Sequence, residues 1–167
     1  MEDVFSDIYT SHGWMINGNP DSPKSGPGST LEHTFALRQA FPEIIDIFGV
    51  KTLFDAPCGD MTWMSELLKD INITYIGGDI VKPLIDENIR LYGNSQTFFC
   101  HMDITKDNLP NSDMMLCRDC HFHLSYEDIR KSLINFYESG IKYLLATTHV
   151  HDEPNVDIVS GGFRSLN

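Results

Sequence analysis

From Lys51 onward, short apolar runs alternate with amphipathic segments, and this alternation constrains the fold more than any other feature. It is typical of βαβ units, in which helices connect parallel strands and cover both faces of the sheet. The apolar runs are residues 52–57, 73–80, 97–104, 114–117 and 142–148. The segments between them predict helices over 61–69, 82–92 and 126–138. We therefore expect an α/β domain with three layers and a mainly parallel sheet of about five strands.

Residues 1–29 differ from the rest because glycine and proline dominate them, and we interpret them as an arm or lid over the domain at 30–167. These backbone-breaking residues are Gly13, Gly18, Pro20, Pro23, Gly26, Pro27 and Gly28. Ser29 and Glu32 are spaced as a capping box, which predicts a helix near 30–40. Pro42 is expected to interrupt that helix and to start a short second turn over 43–48.

Length and charge limit the partners of the chain. Its 167 residues suit one domain. The formal net charge of −12 argues against nucleic acids and anionic membranes, because phosphate binding requires clustered lysine and arginine. Neither a signal peptide nor a run of about 18 apolar residues is present, so we predict a cytoplasmic location. The four cysteines lie in or beside predicted strands, and we expect reduced thiols.

Three successive predicted strands finish on an aspartate. Asp55 closes the first strand and opens the turn Asp55-Ala56-Pro57-Cys58-Gly59-Asp60, Asp79 follows Gly59 by 20 residues, and Asp103 closes the third strand. An acid at the position of Asp79 commonly binds ribose hydroxyls in nucleotide-binding α/β folds. Each aspartate alone is explained equally well as a cap of a turn. Because carboxyl ends of parallel strands form ligand-binding crevices, we favour one shared site.

Four segments, residues 54–60, 75–80, 103–104 and 115–119, resemble the successive cofactor-binding segments of class I S-adenosylmethionine-dependent methyltransferases. The resemblance covers about residues 30–150. The stretch 25–32 in addition resembles the start of an uncharacterised bacterial and viral branch of that family. The resemblance implies a Rossmann-like fold and S-adenosylmethionine as cofactor. A dinucleotide is disfavoured, because the turn lacks the three-glycine fingerprint and carries two carboxylates.

The resemblance also implies roles for residues. The turn at 55–60 would line the methionine moiety, Asp79 would hold the ribose, Asp103 and Ile104 would flank the adenine, and the arm would cover the cofactor. Tyr9, Trp14, Trp63 and Phe122 are candidates for cation–π contact with the sulfonium, or else for core packing. The predicted cofactor-binding residues are Trp14, Gly26, Ser29, Asp55, Ala56, Pro57, Gly59, Asp60, Trp63, Asp79, Ile80, Asp103, Ile104 and Arg118.

Two departures from the family pattern lead to further expectations. Family members usually have a second glycine two residues after Gly59, where this chain has Met61, so we expect a reshaped turn. Members also continue past the fifth strand with a helix and a closing hairpin, whereas this sequence ends at Asn167. We therefore expect a sheet without the closing hairpin, as in a truncated member.

The segment from Cys117 to His123 follows the fourth predicted strand and carries the candidate catalytic residues Asp119, His121 and His123. Its Cys-x-x-Cys-His pattern also matches haem attachment or zinc binding, but no export signal or second ligand pair supports either, and we predict no metal. Alternatively, a histidine packs against the next helix and Arg118 pairs with Asp119. After the fifth strand, His149, His151 and Asp152 form a second polar cluster, which we interpret as a polar loop in preference to a metal site.

The leading hypothesis is an S-adenosylmethionine-dependent methyltransferase that acts on a small molecule or glycan, with His121 or His123 as candidate base. The alternative is a catalytically reduced cofactor-binding module or pseudoenzyme that acts through oligomerisation or a partner protein. This alternative draws on the apolar fifth strand at 143–146, whose exposed edge would allow a homo-oligomer to form.

Overall fold

The computed structural model describes residues 1–15, 19 and 21–167. Residues 16–18 and 20, which include Gly18 and Pro20 of the predicted arm, lie outside the described residues. The helices are α1 (Glu2–Thr10), α2 (Phe35–Phe48), α3 (Met64–Leu67), α4 (Lys82–Tyr92) and α5 (Tyr126–Ser139). The strands are β1 (Thr52–Asp55), β2 (Thr74–Asp79), β3 (Thr97–His101), β4 (Met114–Cys117) and β5 (Tyr143–Ala146). Short 3-10 turns lie at Pro27–Ser29 and His121–His123.

The five strands form one sheet in the order β3-β2-β1-β4-β5, and every neighbouring pair is parallel. Phe54 at the centre of β1 pairs with Ile76 of β2 on one side and with Met115 of β4 on the other. The chain adds β2 and β3 on one side of β1 and then returns to add β4 and β5 on the other. This reversal beside β1 creates a crevice at the carboxyl ends of the strands, the usual ligand-binding position in open α/β sheets. The predicted Rossmann-like α/β class is confirmed.

Helices cover both faces of the sheet, which gives three layers. On one face, Phe54 and Met115 pack in a core cluster that includes Leu84 of α4 and draws in Ile129 and Phe136 of α5. The opposite face is covered by α2 and α3. Its cluster contains residues 41 and 45 of α2, residues 64 and 67 of α3, and residues 53 and 116 of the sheet. Because consecutive strand residues point to opposite faces, both faces of the central strands are apolar and buried.

The structure corrects the predicted start and interruption of α2. This helix runs without a break from Phe35 to Phe48 with Pro42 inside it, and its N-cap is Thr34 rather than Ser29. A proline inside a helix costs about 3 kcal/mol. Phe41 and Ile45, on either side of Pro42, are buried in the core. Burial of two such side chains contributes about 3–6 kcal/mol, which offsets that cost.

Helix α1 lies within residues that we interpreted as an arm, and the sequence analysis missed it. Among its nine residues, Phe5 is buried. The apolar residues Val4, Phe5, Ile8 and Tyr9 do have helical spacing, but the glycines and prolines that follow them led us to interpret the whole stretch as irregular. Helix α3 is shorter than the helix predicted over 61–69, because only Met64–Leu67 are helical.

The described residues after β5 form no strand and instead run back across the loop between β4 and α5. The amide of Gly161 donates to the carbonyl oxygen of His123 at 2.8 Å, and the amide of Arg164 donates to that of Phe122 at 3.1 Å. Strand β5 is an edge of the sheet, as predicted, and self-association through it stays a prediction. All four cysteines are free thiols, also as predicted. None of the described helices combines the length and apolar character needed to cross a membrane.

Candidate active site

A cavity of about 710 Å³ opens at the carboxyl ends of the strands. Side chains that follow all five strands line it, and α1 together with residues 25–29 of the arm covers it. Its volume lies within the roughly 300–1,000 Å³ typical of small-molecule sites. The location agrees with the reversal of strand order beside β1.

Fourteen of the predicted site residues line this cavity, and three do not. Those that line it are Trp14, Gly26, Ser29, Asp55, Pro57, Gly59, Trp63, Asp79, Ile80, Asp103, Ile104, Arg118, Asp119 and His123. Ala56 instead packs in the apolar core, Asp60 bonds to the arm, and His121 faces away from the cavity. The expectation that Asp55, Asp79 and Asp103 gather around one cavity is confirmed, while their individual roles stay predictions.

Asp55 and Asp79 are buried carboxylates. Tyr75 donates a hydrogen bond from its hydroxyl to Asp55 Oδ2 at 2.7 Å. The two oxygens of Asp79 accept from the amides of Gly59 at 3.1 Å and Val81 at 3.0 Å. Burial raises the pKa of Asp55 to about 7 and that of Asp79 to about 6, because desolvation disfavours the charged form more than these hydrogen bonds favour it. A cation in the cavity would stabilise both carboxylates.

Asp103 differs from the other two acids. Burial alone would raise its pKa, but hydrogen bonds from Thr105 and the ammonium group of Lys106 outweigh burial and lower the pKa below its usual value. Thr105 donates from its amide at 3.0 Å and from its hydroxyl at 2.7 Å, and Lys106 Nζ lies 3.3 Å from Asp103 Oδ2. The third strand therefore presents a fully ionised acid to the cavity near neutral pH.

In the turn after β1, the backbone of Met61 has a conformation that glycine usually adopts. Gly59 has φ of 60° and Met61 has φ of 62°, and both values lie in the left-handed region that non-glycine residues rarely adopt. The expectation of a reshaped turn stays a prediction. The Met61 side chain is buried, with Sδ 3.2 Å from Tyr75 Oη. Burial of this side chain outweighs the roughly 1–2 kcal/mol cost of the left-handed conformation.

The arm is attached to this turn and to β4. Ser25 and Asp60 exchange two hydrogen bonds, in which Ser25 N donates to Asp60 Oδ2 at 3.1 Å and Asp60 N donates to Ser25 Oγ at 2.8 Å. A Cβ atom at Gly59 would collide with the Ser25 hydroxyl, so the arm and the turn approach each other as closely as glycine allows. Asp60 thus positions the arm rather than lining the cavity.

Arg118 and Asp119 pair with each other, as in the alternative interpretation, and also line the cavity. Arg118 Nη2 lies 2.9 Å from Asp119 Oδ2, and the guanidinium carbon lies 5.3 Å from the ring centroid of Trp63. The hydroxyl of Thr147, after β5, donates to Asp119 Oδ1 at 3.1 Å. Among the described residues that line the cavity, Arg118 is the only arginine or lysine, and Asp119 already pairs with it.

The two candidate histidines occupy different environments. His121 is buried, with its Nε2 3.1 Å from the hydroxyl of Ser132 and 3.5 Å from Cys117 Sγ. This placement argues against His121 as the base, because its ring is hydrogen-bonded inside the core and does not line the cavity. Hydrogen bonds from Cys120 and His121 outweigh burial and lower the pKa of the Cys117 thiol below its usual value. His123 lines the cavity, and burial lowers its pKa.

The carboxyl-terminal segment adds cavity residues that the sequence analysis missed. Phe163 lines the cavity beside His149, which we had placed in a polar loop. No periodic pattern marks Phe163, since it is brought to the cavity by backbone hydrogen bonds of residues 161 and 164. His151 and Asp152 do not line the cavity. Within residues 1–15, 19 and 21–167, no group of three metal-binding side chains has the geometry to hold an ion.

No protein-family model matches the chain. No curated protein matches it either. Solved structures do match. A magnesium protoporphyrin IX methyltransferase from Synechocystis, solved with bound S-adenosylhomocysteine, is 16% identical over 87% of this chain and 68% of that chain, with a TM-score of 0.61.

Two further solved structures match over smaller parts of their length. A methyltransferase from Leishmania major that depends on S-adenosylmethionine is 15% identical over 71% of this chain and 55% of its own, with a TM-score of 0.56. An O-methyltransferase family protein from Burkholderia thailandensis is 15% identical over 75% and 46%, with a TM-score of 0.52. The chain therefore spans less than half of the Burkholderia protein. The fold of this chain is that of the class I S-adenosylmethionine-dependent methyltransferases.

Proposed function

We propose that this chain binds S-adenosylmethionine and transfers its methyl group to a small molecule or glycan. One observation carries the proposal: Asp55, Asp79 and Asp103, which follow three neighbouring strands, line one cavity where the strand order reverses in a methyltransferase fold. Several solved structures of this fold are methyltransferases, and the Synechocystis protein was solved with bound S-adenosylhomocysteine.

The charge of the cavity suits this cofactor. Among the residues that the structure describes, four aspartates line the cavity against the single guanidinium of Arg118. S-adenosylmethionine carries a sulfonium and an ammonium cation, whereas a pyrophosphate would meet like charge. The raised pKa values of Asp55 and Asp79 indicate carboxylates that are desolvated without enough positive charge nearby. A cationic ligand would supply that charge, so the residues present fit the cofactor.

The lining residues also suit its neutral parts. Asp79 accepts from the amides of Gly59 and Val81, one on each oxygen, and a carboxylate offers about four acceptor sites, so acceptor capacity remains for ribose hydroxyls. Ile104 and Val81 present apolar surface beside Asp103, which suits a purine. The Tyr9 hydroxyl is buried at the cavity wall without a well-formed hydrogen bond to the described residues, and it can therefore bond to a ligand.

The bound cofactor would supply an electrophilic methyl group, and the chain would supply alignment, exclusion of water and a proton acceptor. The arm and α1 cover the cavity and limit access of water. Trp14 lines the cavity with an aromatic ring that tolerates a cation, and the Trp63 ring, which also lines the cavity, already stacks on the guanidinium of Arg118. His123 is the histidine at the end of β4 that lines the cavity, and its lowered pKa keeps it neutral and able to accept a proton at pH 7.

Isothermal titration calorimetry with S-adenosylmethionine and S-adenosylhomocysteine tests the binding step. We expect both to bind, and we expect Asp79→Asn to weaken binding by about tenfold or more, because it removes a charged hydrogen-bond acceptor. Asp70→Asn is the matched control, since this exposed acid lies outside the cavity and the substitution changes charge equally. Absence of binding to the unmodified chain, or equal loss in both variants, would contradict the proposal.

A further inference from the structure

Five aromatic rings from four separate segments form one end of the cavity. This aromatic wall consists of Trp14, Phe122, His123, His149 and Phe163, all of which line the cavity. The ring of His123 lies 5.4 Å from that of Trp14 and 4.6 Å from that of Phe122 between centroids. Phe122 in turn lies 4.9 Å from His149 and 5.5 Å from Phe163. These separations are those of packed aromatic pairs, so the wall is a continuous surface.

The aromatic wall and the three acids lie on opposite halves of the sheet edge. Phe122 and His123 follow β4 and His149 follows β5, whereas the acids follow β1, β2 and β3. Neighbouring strands are about 4.8 Å apart, so the ends of β2 and β5 are separated by about 14 Å. The aromatic wall and the acids are therefore far enough apart to contact different molecules.

Hydrogen bonds assign different tautomers to the two histidines of the wall. His123 Nδ1 lies 2.7 Å from the carbonyl oxygen of Gly162, which only accepts, so Nδ1 carries the proton and Nε2 has a free lone pair. His149 Nδ1 accepts from the amide of Leu166 at 3.3 Å, so in the neutral ring Nε2 carries the proton. The wall therefore offers one imidazole acceptor and one imidazole donor.

We propose that the aromatic wall is the acceptor subsite and that it binds a planar aromatic alcohol, a phenol. The ring of the phenol packs on the aromatic side chains, and its hydroxyl donates to Nε2 of His123 and accepts from Nε2 of His149. This inference rests on the proposed function and names its acceptor class. A sugar fits less well, because it would bury several hydroxyl groups against a surface that offers few polar ring atoms.

Calorimetry with three probes tests the acceptor class. The probes are naphthol, its fully saturated analogue decalol and methyl glucoside, each titrated into the chain with and without S-adenosylhomocysteine. We expect naphthol to bind at least about tenfold more tightly than decalol, since only the flat ring makes aromatic contacts. Phe163→Ala should weaken naphthol binding about threefold to tenfold. Phe163 is 65% exposed, so the substitution leaves the core intact.

Phe98→Ala is the matched control, because Phe98 is 48% exposed and lies outside the cavity. We expect it to leave naphthol binding unchanged. Equal binding of naphthol and decalol, tighter binding of methyl glucoside, or equal effects of the two alanine variants would overturn the inference. Failure of S-adenosylhomocysteine to bind, with naphthol binding intact, would instead contradict the proposed function and leave the aromatic subsite in place.

Discussion

Arg118 Nη2 donates a hydrogen bond of 2.8 Å to the carbonyl oxygen of Gly28, and this bond ties the arm to the end of β4. Gly28 also packs closely against Asp119, because a Cβ atom at position 28 would lie only 2.5 Å from Asp119 Oδ2. The same guanidinium stacks on Trp63. Arg118 therefore connects the arm, which covers the cavity, to Trp63 in the cavity wall.

Arg118→Lys should loosen the arm while keeping the charge. Lysine lacks the planar fork that bonds to Gly28 and Asp119 together and that stacks on Trp63. We expect faster proteolysis after Lys24 and cofactor binding weakened by about tenfold. Limited proteolysis followed by mass spectrometry measures the first effect. Arg90→Lys, on the exposed face of α4, is the control, and an arm equally resistant in both variants would refute this role of Arg118.

Substitution of Met61 should separate backbone strain from side-chain burial. Both Met61→Ala and Met61→Gly remove a buried side chain and should lower the free energy of unfolding by about 2–5 kcal/mol. Glycine is normally the worse of the two by about 0.5–1 kcal/mol. At φ of 62° the order should reverse, because glycine adopts this backbone without strain. Urea unfolding measures both values, and a less stable glycine variant would mean that the position is unstrained.

The stability of the ligand-free chain should fall as pH rises through the acidic range. Asp55 and Asp79 have pKa values raised from 3.8 to about 7 and about 6 in the folded state, so the folded chain binds more protons than the unfolded chain. Their contribution is fully present below about pH 4 and is lost as pH rises towards 7. Asp55→Asn should flatten this decline, by an amount on the order of a few kcal/mol. Urea unfolding between pH 4 and pH 7 gives the slope.

Asp103→Asn is the matched comparison, with the opposite sign. Its folded pKa is lowered below 3.8, so its contribution is present above that pH and is lost as pH falls. The asparagine variant should lose stability at neutral pH and show a weaker acid transition. If Asp55→Asn and Asp103→Asn had the same pH dependence, burial would not govern the pKa of Asp55.

Proton NMR titration should resolve the two histidines of the 121–123 turn. Burial lowers the pKa of His123 below 6.5, whereas the hydrogen bond and charge of Cys117 outweigh burial at His121 and raise its pKa. We therefore expect one ring resonance to titrate below pH 6.5 and one above it. His123→Gln and His121→Gln assign the resonances. Cys117→Ser should lower the pKa of His121 and leave that of His123 in place, and the reverse pattern would contradict the described contacts.

The sequence predicted the sheet well because its signals are local. Each strand is an apolar run bounded by turn residues, and α5 begins at Ser125, a common N-cap residue, whose side chain accepts from the amide of Asp128. The errors arose where tertiary packing overrides local preference. Pro42 stays inside α2 because burial of Phe41 and Ile45, which lie four residues apart on one helix face, offsets the local preference of proline to end a helix.

The acidic half of the candidate site could be predicted from the sequence, and the aromatic half could not. Asp55, Asp79 and Asp103 end successive parallel strands, so the topology alone brings them together. His121 and His123 are two residues apart, and only the turn geometry determines which of them meets the cavity. Phe163 reaches the cavity through long-range hydrogen bonds of its neighbours to the 121–123 turn, and these have no counterpart in sequence spacing.

Helix α1 and the segment around Phe163 converge on the same opening. Met1 and Phe163 border the cavity, and a Cβ atom at Gly161 would collide with Val4 of α1. A purification tag joined to Met1 would therefore begin at the rim of the ligand site and obstruct it. Ligand screens with this protein should use a tag that is removed from the amino terminus, and a weak response from a tagged sample should first be attributed to that obstruction.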